Sequence, residues 1–145
     1  MAKIGIIGGT GPEGLGLAMR FTKAGDRVFI GSRLQERADE AERKVKEALP
    51  EGKVQGLVNA EAVEEAEVVV LTVPWDGHSS TLESLAEAIG DQILVDVVVP
   101  MLFDRGQPKA IVVEEGSAAQ QARAVARRAK VVSAFHHLDG VSLQN

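Results

Sequence analysis

The chain has 145 residues, about the size of one domain, and its content of 45% hydrophobic and 26% charged residues is that of an ordinary globular protein. It contains no cysteine, which excludes a disulfide scaffold, a thiolate metal site and a cysteine nucleophile. Its 21 acidic residues exceed its 16 basic ones, giving a net charge of -5, so a mainly electrostatic interaction with DNA or RNA is not expected.

In the first half of the chain, short apolar runs alternate with segments whose apolar residues have helical spacing. Apolar residues three or four positions apart line one face of a helix, whereas a short continuous apolar run is typical of a buried strand. In the longest helical segment these positions are Leu34, Ala38, Ala41, Val45 and Ala48. We therefore predict strands at 3–8, 27–30 and 53–58, and helices at 12–23, 34–49 and 60–66.

The second half of the chain continues the same alternation up to about residue 135. A loop containing Gly106 and Pro108 is expected before Ser117, which is a suitable N-cap for a last helix. Residues 136–145 show no clear period. We predict strands at 67–73, 93–99 and 130–135, and helices at 78–89 and after Ser117.

Most of the predicted strands are apolar on both faces, whereas 53–58 is a weaker strand, and the helices between them have one apolar face each. This combination is typical of a parallel sheet covered by helices on both sides. With right-handed crossovers, the six strands predict a doubly wound α/β sheet of the Rossmann type in the order 3-2-1-4-5-6. We expect residues 1–135 to form this nucleotide-binding domain and residues 136–145 to begin an incomplete C-terminal segment.

A glycine-rich segment joins the first strand to the first helix, with G-x-G-x-x-G spacing. Such glycines allow a tight turn, close approach of a pyrophosphate and close packing of helix on strand, while the helix N-terminus attracts the phosphate. The alternative is that the glycines serve the turn alone, without a ligand. The predicted cofactor-binding residues of this segment are Gly9, Thr10, Gly11, Pro12, Glu13 and Gly14.

The end of the second strand indicates which dinucleotide would bind. NAD-binding domains place an acidic residue there to accept a hydrogen bond from the ribose 2′-hydroxyl. This chain has Ser32 and Arg33 instead, with Arg37 one helical turn later. A hydroxyl and two guanidinium groups favour a 2′-phosphate and therefore NADP(H). In the alternative interpretation, Arg33 and Arg37 form a solvated face paired with Glu36 and Glu40.

Six segments of the chain resemble, in order and spacing, the NADPH-dependent coenzyme F420 reductases, also called F420H2:NADP oxidoreductases. The resemblance extends from Ile4 to about Leu138. The segments are GGTGPEGLGLAMRF at 8–21, IGSR at 30–33, LTVPW at 71–75, VVP at 98–100, GSAAQ at 116–120 and VVSAFHHL at 131–138.

The resemblance implies roles for individual residues. The positions that match the family's 2′-phosphate site are Thr10, Ser32, Arg33 and Arg37. The positions that match the segment beside the nicotinamide are Val73, Pro74 and Trp75, with His78 just beyond. The positions that match the deazaflavin side of the cleft are Val99, Pro100, His136 and Leu138.

Several of these residues also have ordinary structural interpretations. Trp75 can be a half-buried packing residue, and His78 a surface residue at the start of a helix. Asp96, near the end of an apolar strand, is interpreted as a hydrogen-bonded structural carboxylate or a cleft group. His136 and His137 lack a third ligand at a suggestive spacing, so no metal site is predicted.

The implied activity is hydride transfer between NADP(H) and coenzyme F420. The two cofactors carry that chemistry, so no catalytic side chain is predicted. The alternatives are a reductase with another acceptor, such as a flavin, an imine or a ferric complex, and a module that binds NADP(H) without turnover. Family members have a further C-terminal segment that closes the deazaflavin pocket and contributes to the dimer. An exposed apolar surface near 131–138 is therefore expected.

The remaining expectations concern location and assembly. The N-terminus lacks the features of a signal peptide, and no apolar run approaches the roughly 18 residues that span a membrane. A cytoplasmic protein is expected, without membrane or nucleic-acid partners. Its partners would be small-molecule cofactors, and a homodimer is left open.

Overall fold

The computed structural model describes all of residues 1–145. The chain forms eight strands and six helices, with one 3₁₀ turn at Trp75–Gly77. The strands are β1 (Lys3–Ile7), β2 (Arg27–Ser32), β3 (Val54–Val58), β4 (Val68–Leu71), β5 (Ile93–Asp96), β6 (Met101–Asp104), β7 (Gln107–Ala110) and β8 (Lys130–Ser133). The helices are α1 (Pro12–Ala24), α2 (Gln35–Ala48), α3 (Asn59–Glu65), α4 (His78–Leu85), α5 (Ala118–Val125) and α6 (Gly140–Leu143).

Six of the strands form one parallel sheet in the order β3-β2-β1-β4-β5-β8. Because β8 is the sixth strand of this sheet, the predicted order 3-2-1-4-5-6 and the doubly wound α/β fold are confirmed. The strand order reverses between β1 and β4, whose neighbouring carboxyl ends are Ile7 and Leu71. In doubly wound sheets, ligands bind in the crevice outside such a reversal.

The sheet separates two apolar cores, one under each layer of helices. Successive side chains of a strand point to opposite faces, so Ile6 lies in one core and Ile7 in the other. In β2, Phe29 packs with Ile7 while Ile30 packs with Ile6. Burial on both faces explains why these strands read as continuous apolar runs, and it fixes their register.

Residues 101–110, predicted to be a loop, form an exposed antiparallel hairpin of β6 and β7. Its two turn residues, Arg105 and Gly106, have φ angles of 51° and 79°. Two consecutive left-handed residues are typical of the tight turn that joins adjacent antiparallel strands. The loop prediction was wrong because Gly106 and Pro108 are compatible with a hairpin here: Gly106 lies in its tight turn and Pro108 in an exposed strand.

Residues 136–145, which show no period in sequence, contain α6, and this short helix packs against α1. The two helices approach closely at glycines: a Cβ on Gly16 would lie 2.5 Å from the Cβ of Leu143, and one on Gly140 would lie 2.6 Å from the backbone nitrogen of Glu13. Arg20 of α1 donates a 2.7 Å hydrogen bond from Nε to the carbonyl of Leu143. The end of the chain therefore contacts the helix that begins at the glycine-rich segment.

Two details of the predicted helices also differ. Leu34, assigned to the apolar face of α2, lies outside the helix as its N-cap and is exposed, and Ala48 is exposed as well. The N-cap prediction for α5 is confirmed, since the Ser117 side chain accepts a hydrogen bond from the backbone of Gln120.

No helix combines the length and the apolar character needed to cross a bilayer.

Candidate functional site

A solvent-open cleft of about 850 Å³ lies at the carboxyl ends of β1, β2 and β4. It is bounded by the segment after β1, the end of β2 with the residues that follow it, the segment after β4 and one face of α4. The predicted cofactor-binding residues that line it are Thr10, Gly11, Pro12, Glu13, Ser32, Arg33, Arg37, Val73 and Pro74. The structure therefore brings together, in one cleft, residues far apart in sequence.

The glycines after β1 have distinct roles. Gly8 has a φ of 69°, a left-handed conformation that turns the chain away from the strand. A Cβ on Gly14 would lie 2.6 Å from the Cα of Gly9, so these two residues, beneath the cleft surface, let the helix pack directly on the turn. A Cβ on Gly11 would meet no atom within 4 Å. Gly11 thus faces open space at the start of α1.

Hydrogen bonds fix the spacing between this turn and the end of β2. The backbone N–H of Gly9 donates to the carbonyl of Gly31 at 3.0 Å. The side-chain oxygen of Asn59, the first residue of α3, accepts a 3.3 Å hydrogen bond from the N–H of Gly8. A backbone hydrogen bond thus ties the glycine turn to the end of β2, and the Asn59 side chain ties it to the start of α3.

Beyond β2, the buried Ser32 Oγ accepts a 3.3 Å hydrogen bond from the N–H of Leu34. Arg33 and Arg37 are exposed and lie within 4.0 Å of no carboxylate. The alternative pairing with Glu36 and Glu40 is not formed, since Glu40 pairs with Lys44 at 2.8 Å. Both guanidinium groups remain free to bind an anion in the cleft.

One acidic side chain lies beside the helix N-terminus. Glu13 lines the cleft, and burial raises the pKa of its carboxyl above the ordinary value. A carboxyl group that takes up a proton more readily opposes a nearby phosphate less strongly. Glu13 is therefore compatible with an anion at this position.

At the opposite end of the cleft, Val73 and Pro74 line the wall but Trp75 and His78 do not. Trp75 is half-buried and packs against one of the two cores, as the packing interpretation expects. The surface interpretation of His78 was wrong, because its side chain is 0% exposed. Its ring lies behind Trp75, with the ring centroids 5.2 Å apart.

The remaining predicted residues lie outside this cleft. Val99 and Pro100 follow β5, and His136 and Leu138 follow β8, which pairs with β5. Asp96, the last residue of β5, is fully buried and hydrogen-bonded, which confirms the interpretation as a structural carboxylate. Because β5 and β8 are parallel neighbours, the residues that follow them, Val99 with Pro100 and His136 with Leu138, lie at the same edge of the sheet as the cleft.

Several lining residues were not predicted. They are Gly8, Asn59, Thr72, Asp76, Gly77, Ser80, Thr81 and Ser84. A polar residue directly after a parallel strand, such as Asn59 after β3, is a usable signal, since strand carboxyl ends face the ligand crevice. The hydroxyl groups of α4 have no such signal, because only the docking of that helix determines which of its faces meets the cleft.

These features define a doubly wound α/β protein with a dinucleotide-type glycine turn and a cleft at the strand reversal. The chain belongs to the family of coenzyme F420-dependent NADP oxidoreductases, whose family model matches residues 3–100. The family expected from the sequence is thereby confirmed.

Two curated relatives illustrate the similarity. The chain is 42% identical over 147 aligned residues to the F420-dependent NADP reductase of Methanothermobacter marburgensis, covering 97% of this chain and 66% of the relative. It is 38% identical over 142 residues to the F420-dependent NADP reductase of Methanocaldococcus jannaschii, covering 94% of this chain and 63% of the relative. The chain thus spans about two thirds of the length of these relatives.

Solved structures show the same architecture. A protein from Arthrobacter sp. FB24, provisionally described as an F420-dependent NADP-reductase, has a TM-score of 0.80 at 27% identity over 97% of this chain and 64% of its own. An imine reductase from Streptomyces aurantiacus has a TM-score of 0.60 at 22% identity, covering 90% of this chain and 39% of its own. The second likeness shows the fold alone.

Proposed function

We propose that the chain binds NADP(H) in the cleft and takes part in hydride transfer between NADP(H) and the deazaflavin coenzyme F420. The observation that carries the proposal is the free pair of guanidinium groups, Arg33 and Arg37, beside Ser32 at the end of β2. A 2′-phosphate distinguishes NADP(H) from NAD(H), and guanidinium groups are well suited to bind it. The similarity to F420-dependent NADP reductases supports the same cofactor pair.

The cleft offers a site for each charged part of the nucleotide. The pyrophosphate would lie over Gly11, where the backbone leaves open space, and face the first-turn N–H groups of α1. The 2′-phosphate would lie against Ser32, Arg33 and Arg37, with Thr10 nearby. The nicotinamide would then extend toward Val73 and Pro74, with Trp75 behind this wall.

Hydride transfer needs little from the side chains beyond placement. The bound nicotinamide and deazaflavin rings supply the redox chemistry. The chain's own contribution is to hold the nicotinamide at the end of β4, expose one ring face and limit the access of water. On this proposal no side chain exchanges a proton with the reacting rings.

The deazaflavin would bind on the β5 and β8 side of the cleft. There, Val99, Pro100, His136 and Leu138 would line its site, and Val99 and Leu138 present exposed apolar surface. Exposed apolar surface is suited to an aromatic ring or to a further protein segment.

We also propose that residues 1–135 form the NADP-binding domain and residues 136–145 begin a further segment. A homodimer and a cytoplasmic location complete the proposal.

Nucleotide binding tests the cofactor assignment. NADPH should bind much more tightly than NADH, and Arg33→Ala should remove most of that preference by weakening NADPH about 10- to 100-fold, the range for charge-assisted hydrogen bonds. Arg43→Ala is the matched control, since Arg43 lies on the same helix but pairs with Glu47 away from the cleft. Equal affinity of the unmodified chain for the two nucleotides would contradict NADP(H) binding.

Turnover tests the second substrate. Mixing the chain with NADPH and oxidised F420 should bleach the deazaflavin absorbance, and it should do so more slowly in Arg33→Ala. Full NADPH affinity without turnover of F420 would contradict the deazaflavin assignment for this chain. In that case, turnover with a flavin, imine or ferric acceptor would identify another reductase, and none at all would favour a binding module.

A further inference from the structure

A buried polar network lies directly behind the wall of the cleft. His78 at the start of α4 and Asp96 at the end of β5 both have side chains that are 0% exposed. The His78 Nε2 lies 2.7 Å from the Asp96 Oδ2, and its Nδ1 lies 2.7 Å from the Gln121 Oε1 of α5. Asp96 also accepts a 2.9 Å hydrogen bond from the N–H of Val98. The network thus joins three elements that pack beneath the 3₁₀ turn.

The acceptors in this network determine how many protons the imidazole carries. The Gln121 amide nitrogen donates at 3.2 Å to the Glu115 carboxylate. This hydrogen bond leaves the amide oxygen of Gln121 facing His78. The opposite amide orientation would place that oxygen against the carboxylate instead. Both nitrogens of the His78 ring therefore face oxygen acceptors, and only an imidazolium has an N–H for each of them.

The charged groups that face His78 are both carboxylates, Asp96 from β5 and Glu115 from the segment before α5. Burial alone would lower the pKa of the imidazole. The hydrogen bonds to Asp96 and Gln121, together with the two negative charges, outweigh burial and raise the pKa of His78 above its ordinary value. The electrostatic environment and the two hydrogen-bond acceptors therefore both favour the protonated form of His78.

Trp75 connects this network to the cleft. Its indole stacks on the His78 ring with an interplanar angle of 28°, and it belongs to the turn whose neighbours Pro74, Asp76 and Gly77 line the cleft. A cation on the face of an indole is attracted to it. We propose that His78 is a positioning residue, held as an imidazolium between Asp96 and Gln121, that supports the Trp75 indole and thereby sets the wall formed by residues 73–77.

The role of that wall in binding NADP(H) rests on the proposed function, whereas the state of His78 and its contact with Trp75 do not. If His78 loses its proton, one of its two short hydrogen bonds loses its donor and the attraction to the indole weakens. The turn would then hold Trp75 less firmly. Nucleotide affinity should fall, while the preference for NADPH over NADH, which depends on Arg33, should not.

Tryptophan fluorescence tests the contact without any ligand, because Trp75 is the only tryptophan and the chain has no tyrosine. A stacked imidazolium quenches indole emission, so emission should rise with pH in a single titration whose midpoint lies above about 6.5, the ordinary histidine value. His78→Gln should abolish the titration, and His137→Gln, at an exposed position, should leave it unchanged. Emission independent of pH, or an unchanged titration in His78→Gln, would overturn the proposal.

Nitrogen NMR of the imidazole provides a test that does not require a change in the core. Replacing the exposed His136 and His137 by glutamine leaves His78 as the only histidine. Two protonated ring nitrogens at a pH of about 6.5 are expected, since the pKa of His78 is raised. One bare ring nitrogen at that pH would overturn the assigned state.

NADPH titrations at several pH values test the link to the cleft. Each protein's NADPH affinity is compared below and above the fluorescence midpoint. As pH rises through it, the affinity of the unmodified chain should fall about 3- to 10-fold more than that of Trp75→Ala, which lacks the connecting ring. The 2′-phosphate titrates in both proteins, so the comparison removes its effect. Identical pH profiles would overturn the positioning role. Failure to bind NADPH at any pH would refute the proposed function, and the fluorescence and NMR would still decide the state of His78.

Discussion

Replacing Gly11 by alanine would place a methyl group in the space that we assign to the pyrophosphate. A Cβ on Gly11 meets no atom of the chain within 4 Å, and the φ of -77° and ψ of 170° are accessible to alanine. Alanine is a poorer N-cap than glycine, but it also restricts the unfolded chain. These effects oppose each other, so the free energy of unfolding should change by less than about 1 kcal/mol.

Binding should respond much more strongly than stability. The methyl group would hold the pyrophosphate away from the first-turn N–H groups of α1. Loss of one charge-assisted hydrogen bond costs about 1.5–3 kcal/mol, so NADPH affinity should fall by about 10- to 100-fold in Gly11→Ala. NADH should lose a similar factor, because both nucleotides share the pyrophosphate.

Gly14→Ala is the matched control, three residues further along the same segment. Its Cβ would lie 2.6 Å from the Cα of Gly9 and 2.8 Å from the Oγ1 of Thr72. Overpacking against backbone costs about 1–3 kcal/mol, and the better helix propensity of alanine offsets about 0.5–1 kcal/mol of that. A net loss of about 1–2 kcal/mol in the free energy of unfolding is therefore expected.

Urea unfolding and NADPH titration of both variants separate the two effects. Gly11→Ala should unfold near the midpoint of the unmodified chain and bind poorly, whereas Gly14→Ala should unfold at lower urea. Normal NADPH affinity in a folded Gly11→Ala would refute the assignment of the pyrophosphate to this space. Unchanged stability of Gly14→Ala would refute the argument from close packing.

Two further predictions concern stability. Arg20→Ala removes the side chain that donates to the carbonyls of Ser142, Leu143 and Asn145, so amide hydrogens of α6 should exchange faster while global stability falls by less than about 1 kcal/mol. Because the pKa of His78 is raised by folding, its contribution to stability is fully present below about 6.5 and is lost as pH rises through the folded-state pKa. Urea unfolding at a series of pH values should show this decline, and His78→Gln should lack it.

The sheet was predictable because its signals are local and repeated. Strands such as β4 and β5 are apolar at nearly every position, and the amphipathic helices between them leave few alternatives to a parallel sheet. The hairpin at 101–110 was missed because its strands are exposed throughout. β7, with the sequence QPKA, has no apolar run, and the apolar Met101, Leu102 and Phe103 of β6 are not buried, so the antiparallel pairing shows only in the turn residues.

The 2′-phosphate side of the candidate site was also predictable, since Ser32, Arg33 and Arg37 follow a recognisable strand end. The wall on α4 was not, because the orientation of a helix relative to a cleft depends on packing with distant elements. In sequence, Ser80, Thr81 and Ser84 therefore do not differ from ordinary surface residues of a helix, although they line the cleft.

His78 shows where inference from sequence fails in a physically specific way. A histidine at a helix start is usually exposed, and its burial here requires hydrogen-bond acceptors from Asp96 and Gln121, which lie 18 and 43 residues away along the chain. Without these acceptors, burying the polar ring would destabilise the fold by more than its packing stabilises it. The partners exist only because β5 and α5 meet behind the turn of Trp75, so the same topology that places the cleft also determines the state of the residue behind it.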